Sequence, residues 1–249
     1  AVLRSTIREY LCGEAMHGLG IPTTRSLCII GGNEGVLRER PEPGAMLIRM
    51  APTHVRFGSF EVFFYRKQYD YLKTLADYVI ARHFPHLSDD SDRYARFLAE
   101  IARKTGIMIA HWQAVGWAHG VMNTDNAAIS GETIDYGPCA FMDTFHPKCV
   151  FSSIDTGGRY AWGNQPNIGL WNVTRFAETL VPLLSDNQDD AIKKAEQVLS
   201  QYSDRFESEY IARFRAKLAL SETAPVEIIQ ECLELLSAQE IDFTVFFGR

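Results

Sequence analysis

The part of the sequence that most restricts the fold is a long apolar segment followed by a short polar loop and a second acidic turn. The stretch from Tyr94 to about Trp117 has the features of a long, largely buried helix. A polar turn containing Asp125 and Asn126 follows this helix, and an Asp-aromatic-Gly turn begins at Asp135. An Asn and an Asp held at adjacent strand ends can share a divalent metal on the phosphates of a nucleotide.

This order of helix, polar loop, short β segment and second Asp is also the order found in protein kinases. Asp125-Asn126 or Asp135 alone is equally typical of an ordinary turn. Taken together they indicate a nucleotide–metal site, because two oxygen ligands completed by phosphate oxygens and water suit Mg²⁺ or Mn²⁺. The spacing is tighter than in kinases, and His119-Gly replaces the usual His-Arg-Asp.

Composition excludes several classes of protein. The 249 residues fit one large domain or two small ones, and the 46% apolar content is enough for a substantial core. A net charge of −6 argues against a protein that coats nucleic acid, and no apolar run is long enough to predict a membrane span. The five scattered cysteines contain no Cys-x-x-Cys pair, so we expect reduced thiols.

The first part of the chain has the apolar spacing of a helix followed by that of two strands. Apolar spacing predicts a helix over Ser5 to His17. Two strands are predicted, at Ser26 to Ile30 and at Met46 to Met50, and they could pair as a hairpin across a charged loop from Asn33 to Pro43.

The remainder of the chain is mostly helical in pattern. Helical signal runs from Phe60 to about His83, and the composition shifts near residue 165 to an almost wholly helical region. Predicted helices in that region lie near 169–184, 188–202, 205–220 and 225–238.

Charged residues in the first part suggest further contacts with phosphate. Arg49 and Arg56 flank Ala-Pro-Thr-His, and Arg is suited to bidentate phosphate contacts, although solvated surface charges are the alternative. The predicted first helix carries Glu9 and Glu14. In kinases a helix Glu orients the phosphate-binding Lys, but a Glu on an exposed helix face is usually only solvated.

Several long motifs resemble the SelO/YdiU family, kinase-like proteins described as pseudokinases that act as protein adenylyltransferases. The matching segments are Ala1–His17, Gly20–Arg25, Arg49–Gly58, His119–Asn126, Thr133–Pro138 and Gly158–Pro166. The resemblance implies an α+β, protein-kinase-like fold with a partial small lobe followed by a mostly helical large lobe. On that basis residues 1–58 would be part of the N-lobe, and residues 59–249 the helical C-lobe with the metal and nucleotide site.

The resemblance also implies roles for individual residues. Asp125 would accept the proton of the acceptor hydroxyl, and Asn126 and Asp135 would bind Mg²⁺, with Asp135 also touching ATP. Arg49 and Arg56 would contact the nucleotide phosphates. Glu9 is the first choice for the helix Glu that pairs with a catalytic Lys, and Glu14 is the alternative.

The implied activity is transfer of AMP from ATP, bound in a flipped orientation, to Ser, Thr or Tyr hydroxyls of proteins. UMP transfer from UTP with Mn²⁺, ordinary phosphoryl transfer and a non-catalytic nucleotide-binding module remain alternatives. We expect the Gly-rich loop and the catalytic Lys to precede Ala1, and a redox-active Cys or selenocysteine to follow Arg249. The chain alone would then bind ATP weakly and transfer little or nothing.

The expected partners are ATP and proteins with acceptor hydroxyls, without nucleic acid or membrane. A cytoplasmic location is expected for a bacterial chain, and a mitochondrial one is open for a eukaryotic chain.

Overall fold

The structure is a computed structural model that describes residues 1–248. It is α+β, as the sequence predicts, with far more helix than strand. In chain order the helices and strands are α1 (Leu3–Gly18), β1 (Arg25–Leu37), β2 (Pro41–Met50), α2 (Phe57–Tyr65), α3 (Tyr69–His83), α4 (Arg93–Ala114), β3 (Trp117–Ala118), β4 (Ala140–Phe141), α5 (Gln165–Leu184), α6 (Gln188–Lys217), α7 (Glu227–Ala238) and α8 (Phe243–Phe247).

Strands β1 and β2 pair in antiparallel register to form a hairpin, which we define as residues 25–50. The hairpin is predicted correctly, but the prediction of a loop from Asn33 to Pro43 is wrong for most of its length. The strands continue to Leu37 and resume at Pro41. A register shift between Gly31 and Gly35 absorbs the Gly and Asn residues that had indicated a loop.

A helical body, defined as residues 57–217, carries the largest hydrophobic core. Helix α4 packs against both α5 and α6. Its apolar residues recur at helical spacing, so that Phe97, Leu98 and Ile101 lie on the buried face. The ring of Phe176 on α5 stacks on Phe57 and meets the rings of two further phenylalanines edge to face, those of Phe60 and Phe97.

Two helix boundaries differ from the prediction. The segment predicted as one helix from Phe60 to His83 is two helices, because the chain turns between Tyr65 and Tyr69 and Lys67 adopts a positive φ of 56°. The two helices predicted near 188–202 and 205–220 form the single helix α6. No Pro or Gly interrupts the sequence between them, so nothing ends the first helix.

The segment that follows α4 crosses the helical body and meets two earlier parts of the chain. Thr23 forms a parallel bridge with Thr133, and Arg56 forms an antiparallel bridge with Ala128. The expected short β segment between Asn126 and Asp135 is therefore two isolated bridges. These bridges bring three of the sequence motifs together at one place.

Among residues 1–248, no helix combines the length and the apolar composition that crossing a lipid bilayer requires.

Candidate active site

The polar loop after α4 is held by a network of backbone and side-chain hydrogen bonds. Residues 124–126 form one turn of 3₁₀ helix, which Asn123 caps by accepting a hydrogen bond from the backbone N–H of Asn126 at 3.0 Å. At the start of this turn, the hydroxyl of Thr124 donates to the carboxylate of Glu61 on α2 at 2.6 Å. The loop is thus fixed both by its own cap and by the neighbouring helix.

Asn126 and Asp135 are direct neighbours in the structure. The side-chain amide of Asn126 donates from Nδ2 to Oδ2 of Asp135 at 2.8 Å and to the carbonyl oxygen of Val121 at 3.0 Å. Both partners are acceptors, so the amide nitrogen must face them and Oδ1 of Asn126 points elsewhere. The amide of Asn126 and the carboxylate of Asp135 therefore lie side by side, and Oδ1 of Asn126 takes no part in this contact.

The backbone at Asp135 has a positive φ of 70°, in the left-handed region that few residues other than Gly, Asn and Asp adopt readily. Backbone bonds hold the chain just before it. The N–H of Thr133 donates to the carbonyl of Pro22 at 2.8 Å, and the carbonyl of Thr133 accepts from the N–H of Thr24 at 3.1 Å. These bonds fix the direction in which the Asp135 carboxylate leaves the chain.

Asp125 packs against the first turn of α2. A Cβ placed on Gly58 would lie only 2.1 Å from Oδ1 of Asp125, so a side chain at this position would force the carboxylate to move. The guanidinium of Arg56 donates to the backbone carbonyl of Asp125 at 2.9 Å. Arg56 and Gly58 thus hold the backbone and the side chain of Asp125 from the same short segment.

Arg49 extends from β2 towards this loop and is not a solvated surface charge, since 20% of its side chain is exposed. Burial lowers the pKa of Arg49, the negative charge of Asp135 raises it, and the positive charge of Arg56 lowers it. Arg49 is therefore within electrostatic range of Asp135 and Arg56. An Arg flanked by a carboxylate and a second Arg fits a site for anionic phosphate groups.

The two candidate glutamates on α1 have different partners. Glu9 forms an ion pair with Arg49, and 21% of its side chain is exposed. Glu14 pairs with Arg25, which donates to both of its carboxylate oxygens at 2.7 and 2.8 Å. Only Glu9 therefore connects to the cluster around Asp135, and its partner among residues 1–248 is an Arg.

His119 is buried, and its ring links the start of the polar loop to the residue before Asp135. Its Nδ1 accepts from the N–H of Val121 at 3.3 Å, so Nε2 carries the proton donated to the carbonyl of Ile134 at 3.0 Å. Burial lowers the pKa of His119, which keeps the ring neutral. His119 therefore anchors the loop through both of its ring nitrogens.

Sequence reasoning missed Gly58, Glu61 and Thr124 as parts of this site. Gly58 lies at the end of the Arg49–Gly58 motif. Its position in the first turn of an apolar helix was the signal that could have identified it. Thr124 and Glu61 are 63 residues apart, and no local pattern indicates their contact. The Asp155-Thr-Gly segment is a structural turn, because its carboxylate accepts from the backbone N–H groups of Arg159 and Tyr160.

The donor set fits a metal ion that is shared with a ligand. Among residues 1–248, no group of three or more His, Cys, Asp and Glu side chains is placed to hold a metal. Asn126 and Asp135 supply two oxygen donors, and Mg²⁺ commonly takes one or two protein oxygens and completes its shell with phosphate oxygens and water. The residues therefore suit a nucleotide-bound Mg²⁺ and not a closed protein cage.

Comparison with known proteins gives a consistent set of relatives. Proteins called "Protein nucleotidyltransferase YdiU" match at 52% identity from Halalkalibacterium halodurans, 49% from Alkalilimnicola ehrlichii and 51% from Myxococcus xanthus. Each alignment covers 99% of this chain and 50–51% of the relative. The chain spans about half the length of these curated relatives. The model of the family described as "Protein adenylyltransferase SelO" matches residues 1–249, and the chain therefore belongs to the SelO family.

Proposed function

We propose that this chain provides the metal-binding and base-bearing part of a nucleotidyltransferase site that transfers AMP from ATP to Ser, Thr or Tyr hydroxyls of proteins. The observation that carries the proposal is the contact between Asn126 and Asp135, with Asp125 on the same loop and Arg56 bonded to the Asp125 carbonyl. The name of the family, and the nucleotidyltransferase names of its relatives, support the reaction class.

The fold that belongs to this proposal is kinase-like. Residues 1–58, with α1 and the hairpin, would form part of a small N-lobe, and residues 59–249 the helical C-lobe. The order of elements supports this division, because the loop with Asp125 and Asn126 follows the long helix α4 and Asp135 comes nine residues after Asn126.

Each of these residues would have a separate role in binding the metal and the nucleotide. Oδ1 of Asn126 and the carboxylate of Asp135 would hold Mg²⁺, which when bound neutralises phosphate charge. Arg49 and Arg56 would contact the phosphates and position the nucleotide. Glu9 would orient the guanidinium of Arg49 through their ion pair.

The bond changes are those of a displacement at the α-phosphorus. The acceptor hydroxyl oxygen forms a bond to the α-phosphorus, the bond to the oxygen bridging to the β-phosphate breaks, and pyrophosphate leaves. The hydroxyl proton passes to the Asp125 carboxylate, which acts as the general base. Gly58 is the positioning residue for this step, because it leaves the space in which the carboxylate lies.

The first test measures nucleotide binding by the chain with and without Mg²⁺. In Asp135→Asn the amide oxygen can still accept from Asn126, and Asn tolerates the left-handed backbone at this position. We expect the Mg²⁺-dependent affinity for ATP to fall by about tenfold or more, because one contact with a charged group is worth about 1.5–3 kcal/mol. Isothermal titration calorimetry measures the change.

The matched control is Asp204→Asn, which removes one carboxylate from an exposed position on α6. This variant should bind ATP as the unmodified chain does. Equal affinities for the Asp135→Asn variant and the unmodified chain would show that Asp135 does not hold the metal.

The second test separates transfer from binding in the full-length protein. Asp125→Asn should abolish labelling of an acceptor protein while nucleotide binding persists, because the base is lost and the ligand contacts remain. Mass spectrometry of the labelled acceptor distinguishes AMP, UMP and phosphoryl groups by the added mass. Absence of any label in the unmodified protein would favour a nucleotide-binding module without catalysis.

A further inference from the structure

Helix α1 lies along the segment that follows Asp135. The guanidinium of Arg8 donates to the carbonyl of Gly137 at 3.2 Å and also to the carbonyl of Cys139. Closer to the end of the helix, a Cβ placed on Gly13 would lie 3.6 Å from the ring of Tyr136. One face of α1 therefore packs on residues 136–139.

Two cysteines face each other across this contact. Cys12 is one turn after Arg8 on the same face of α1, so the Arg8 bond to the Cys139 carbonyl places Cys12 beside the Cys139 side chain. Both cysteines belong to one apolar cluster, with Cys139 fully buried and Cys12 partly buried at its edge. The shared cluster and the Arg8 contact bring the two thiols to the same side of this interface.

The two thiols differ in reactivity. The neighbouring Cys139 thiol and, to a smaller extent, the positive charge of Arg8 together lower the pKa of Cys12 to about 7, although partial burial opposes the change. The pKa of Cys139 is raised by the neighbouring Cys12 thiol and by burial, and the pKa of nearby Tyr136 is raised by burial. Cys12 is thus the nucleophile, because the thiolate is the reactive form.

We propose that Cys12 and Cys139 form a reversible disulfide that fastens helix α1 to the segment following Asp135. The oxidant is a peroxide. The Cys12 thiolate attacks one peroxide oxygen, and the O–O bond breaks. The hydroxide that leaves takes up the proton released when the Cys12 thiol ionised and becomes water, and Cys12 becomes a sulfenic acid. The Cys139 thiol then attacks that sulfur, the S–S bond forms, and a second water leaves. Two thiols lose two electrons and one peroxide becomes two waters.

The bond would constrain the proposed site from one side. Cys12 lies three residues after Glu9, the ion-pair partner of Arg49, and Cys139 lies four residues after Asp135. This consequence rests on the proposed function, whereas formation of the disulfide does not. A cross-link between residues 12 and 139 also closes a long loop, which restricts the unfolded chain.

The test treats the folded chain with hydrogen peroxide and maps the thiols by mass spectrometry. Trypsin releases Cys12 in the peptide 9–25 and Cys139 in the peptide 105–148, and each of these peptides contains a single cysteine. We expect these two peptides joined, with the loss of two hydrogen atoms, and a fall in free thiols from five to three. A dithiol reductant should restore both.

Controls separate this pair from general oxidation. Cys28→Ser changes a partly buried cysteine of the hairpin and should leave the joined peptides unchanged. Cys12→Ser should retain all four of its remaining thiols under the same treatment and needs no change in the buried core. If the joined peptides are absent from the oxidised chain, or if Cys12→Ser loses thiols as fast as the unmodified chain, the proposal is wrong.

Hydrogen exchange gives an independent measurement. Amide exchange in α1 should slow on oxidation of the unmodified chain and remain unchanged in Cys12→Ser. Equal exchange before and after formation of the joined peptides would show that the bond does not fasten the helix.

Discussion

The hairpin and the helical body differ in how completely they bury their apolar side chains. In the helical body Phe57, Phe60 and Phe176 are fully buried and contact one another through their rings. In the hairpin large apolar side chains face solvent, among them Leu27 (59% exposed), Ile30 (51%), Leu37 (78%) and Met46 (64%). The free energy of unfolding of this chain therefore comes mainly from the helical body, because apolar burial is the dominant favourable contribution to folding.

The candidate site lies where these two regions meet. Asn126 and Asp135 belong to the helical body, and the chain before Asp135 is also held by Pro22 and Thr24. Arg49 belongs to the hairpin and is held by Glu9. A change in the core of the body should disturb the whole site. A change on the open face of the hairpin should leave the Asn126–Asp135 contact intact.

The largest effect is expected in the core of the helical body. Phe176→Ala removes the ring that contacts three other aromatic residues and should lower the free energy of unfolding by about 3–5 kcal/mol. Trp171→Ala, on the same helix but 39% exposed, should cost about 1 kcal/mol or less. Urea denaturation measures both. Equal losses would mean that the buried phenylalanine cluster around Phe176 contributes no more to stability than an exposed ring on the same helix.

An intermediate effect on the free energy of unfolding is expected from a fall in pH, because two histidines of the helical body have lowered pKa values. Burial and the charge of Arg213 lower the pKa of His111 from 6.5 to about 4, and burial lowers that of His119. Since the unfolded chain then binds more protons, stability is fully present above pH 6.5 and falls as the pH drops towards about 4. For His111 we expect a loss of about 1–2 kcal/mol after allowing for its partial exposure to water.

Denaturation midpoints across this pH range check the dependence. His111→Gln removes one titrating group and should flatten the curve. The hairpin contains no histidine, so it adds no histidine titration to this dependence. An unchanged slope in His111→Gln would contradict the assignment.

The smallest effect is expected on the open face of the hairpin. Leu37→Thr replaces a side chain that is 78% exposed with one that also favours strands, and should change the free energy of unfolding by less than about 0.5 kcal/mol. Thermal denaturation of this variant measures the change. A loss comparable to that of Phe176→Ala would show that the exposed face is covered in solution.

The sequence predicted the parts of the fold that depend on regular periodicity. Helix α1, the hairpin and the long helix α4 follow from apolar spacing. The break between α2 and α3 was missed because it depends on a positive φ at Lys67, a residue with no such preference. The hairpin loop was overestimated because a register shift carries Gly-rich sequence within a strand.

The sequence predicted those contacts of the site that join neighbouring motifs along the chain, but not those that join distant segments. The proximity of Asn126 and Asp135 was predicted from their order along the chain, and the structure brings them into direct contact. The pairing of Glu9 with Arg49 and the packing of Gly58 on Asp125 were not, because they join segments whose approach depends on tertiary packing. The functional roles of these residues remain predictions.

The left-handed backbone at Asp135 makes this position unusually intolerant of mutation. A carboxylate at this place requires Asp or Glu, while the backbone favours Gly, Asn and Asp. Asp is the one amino acid common to both sets. Glu would keep the charge but strain the chain, and Asn would keep the conformation but lose the charge. Any single substitution therefore loses either the negative charge or the favourable backbone conformation. A redesign that changes the charge carrier at this position must also change the conformation of the turn.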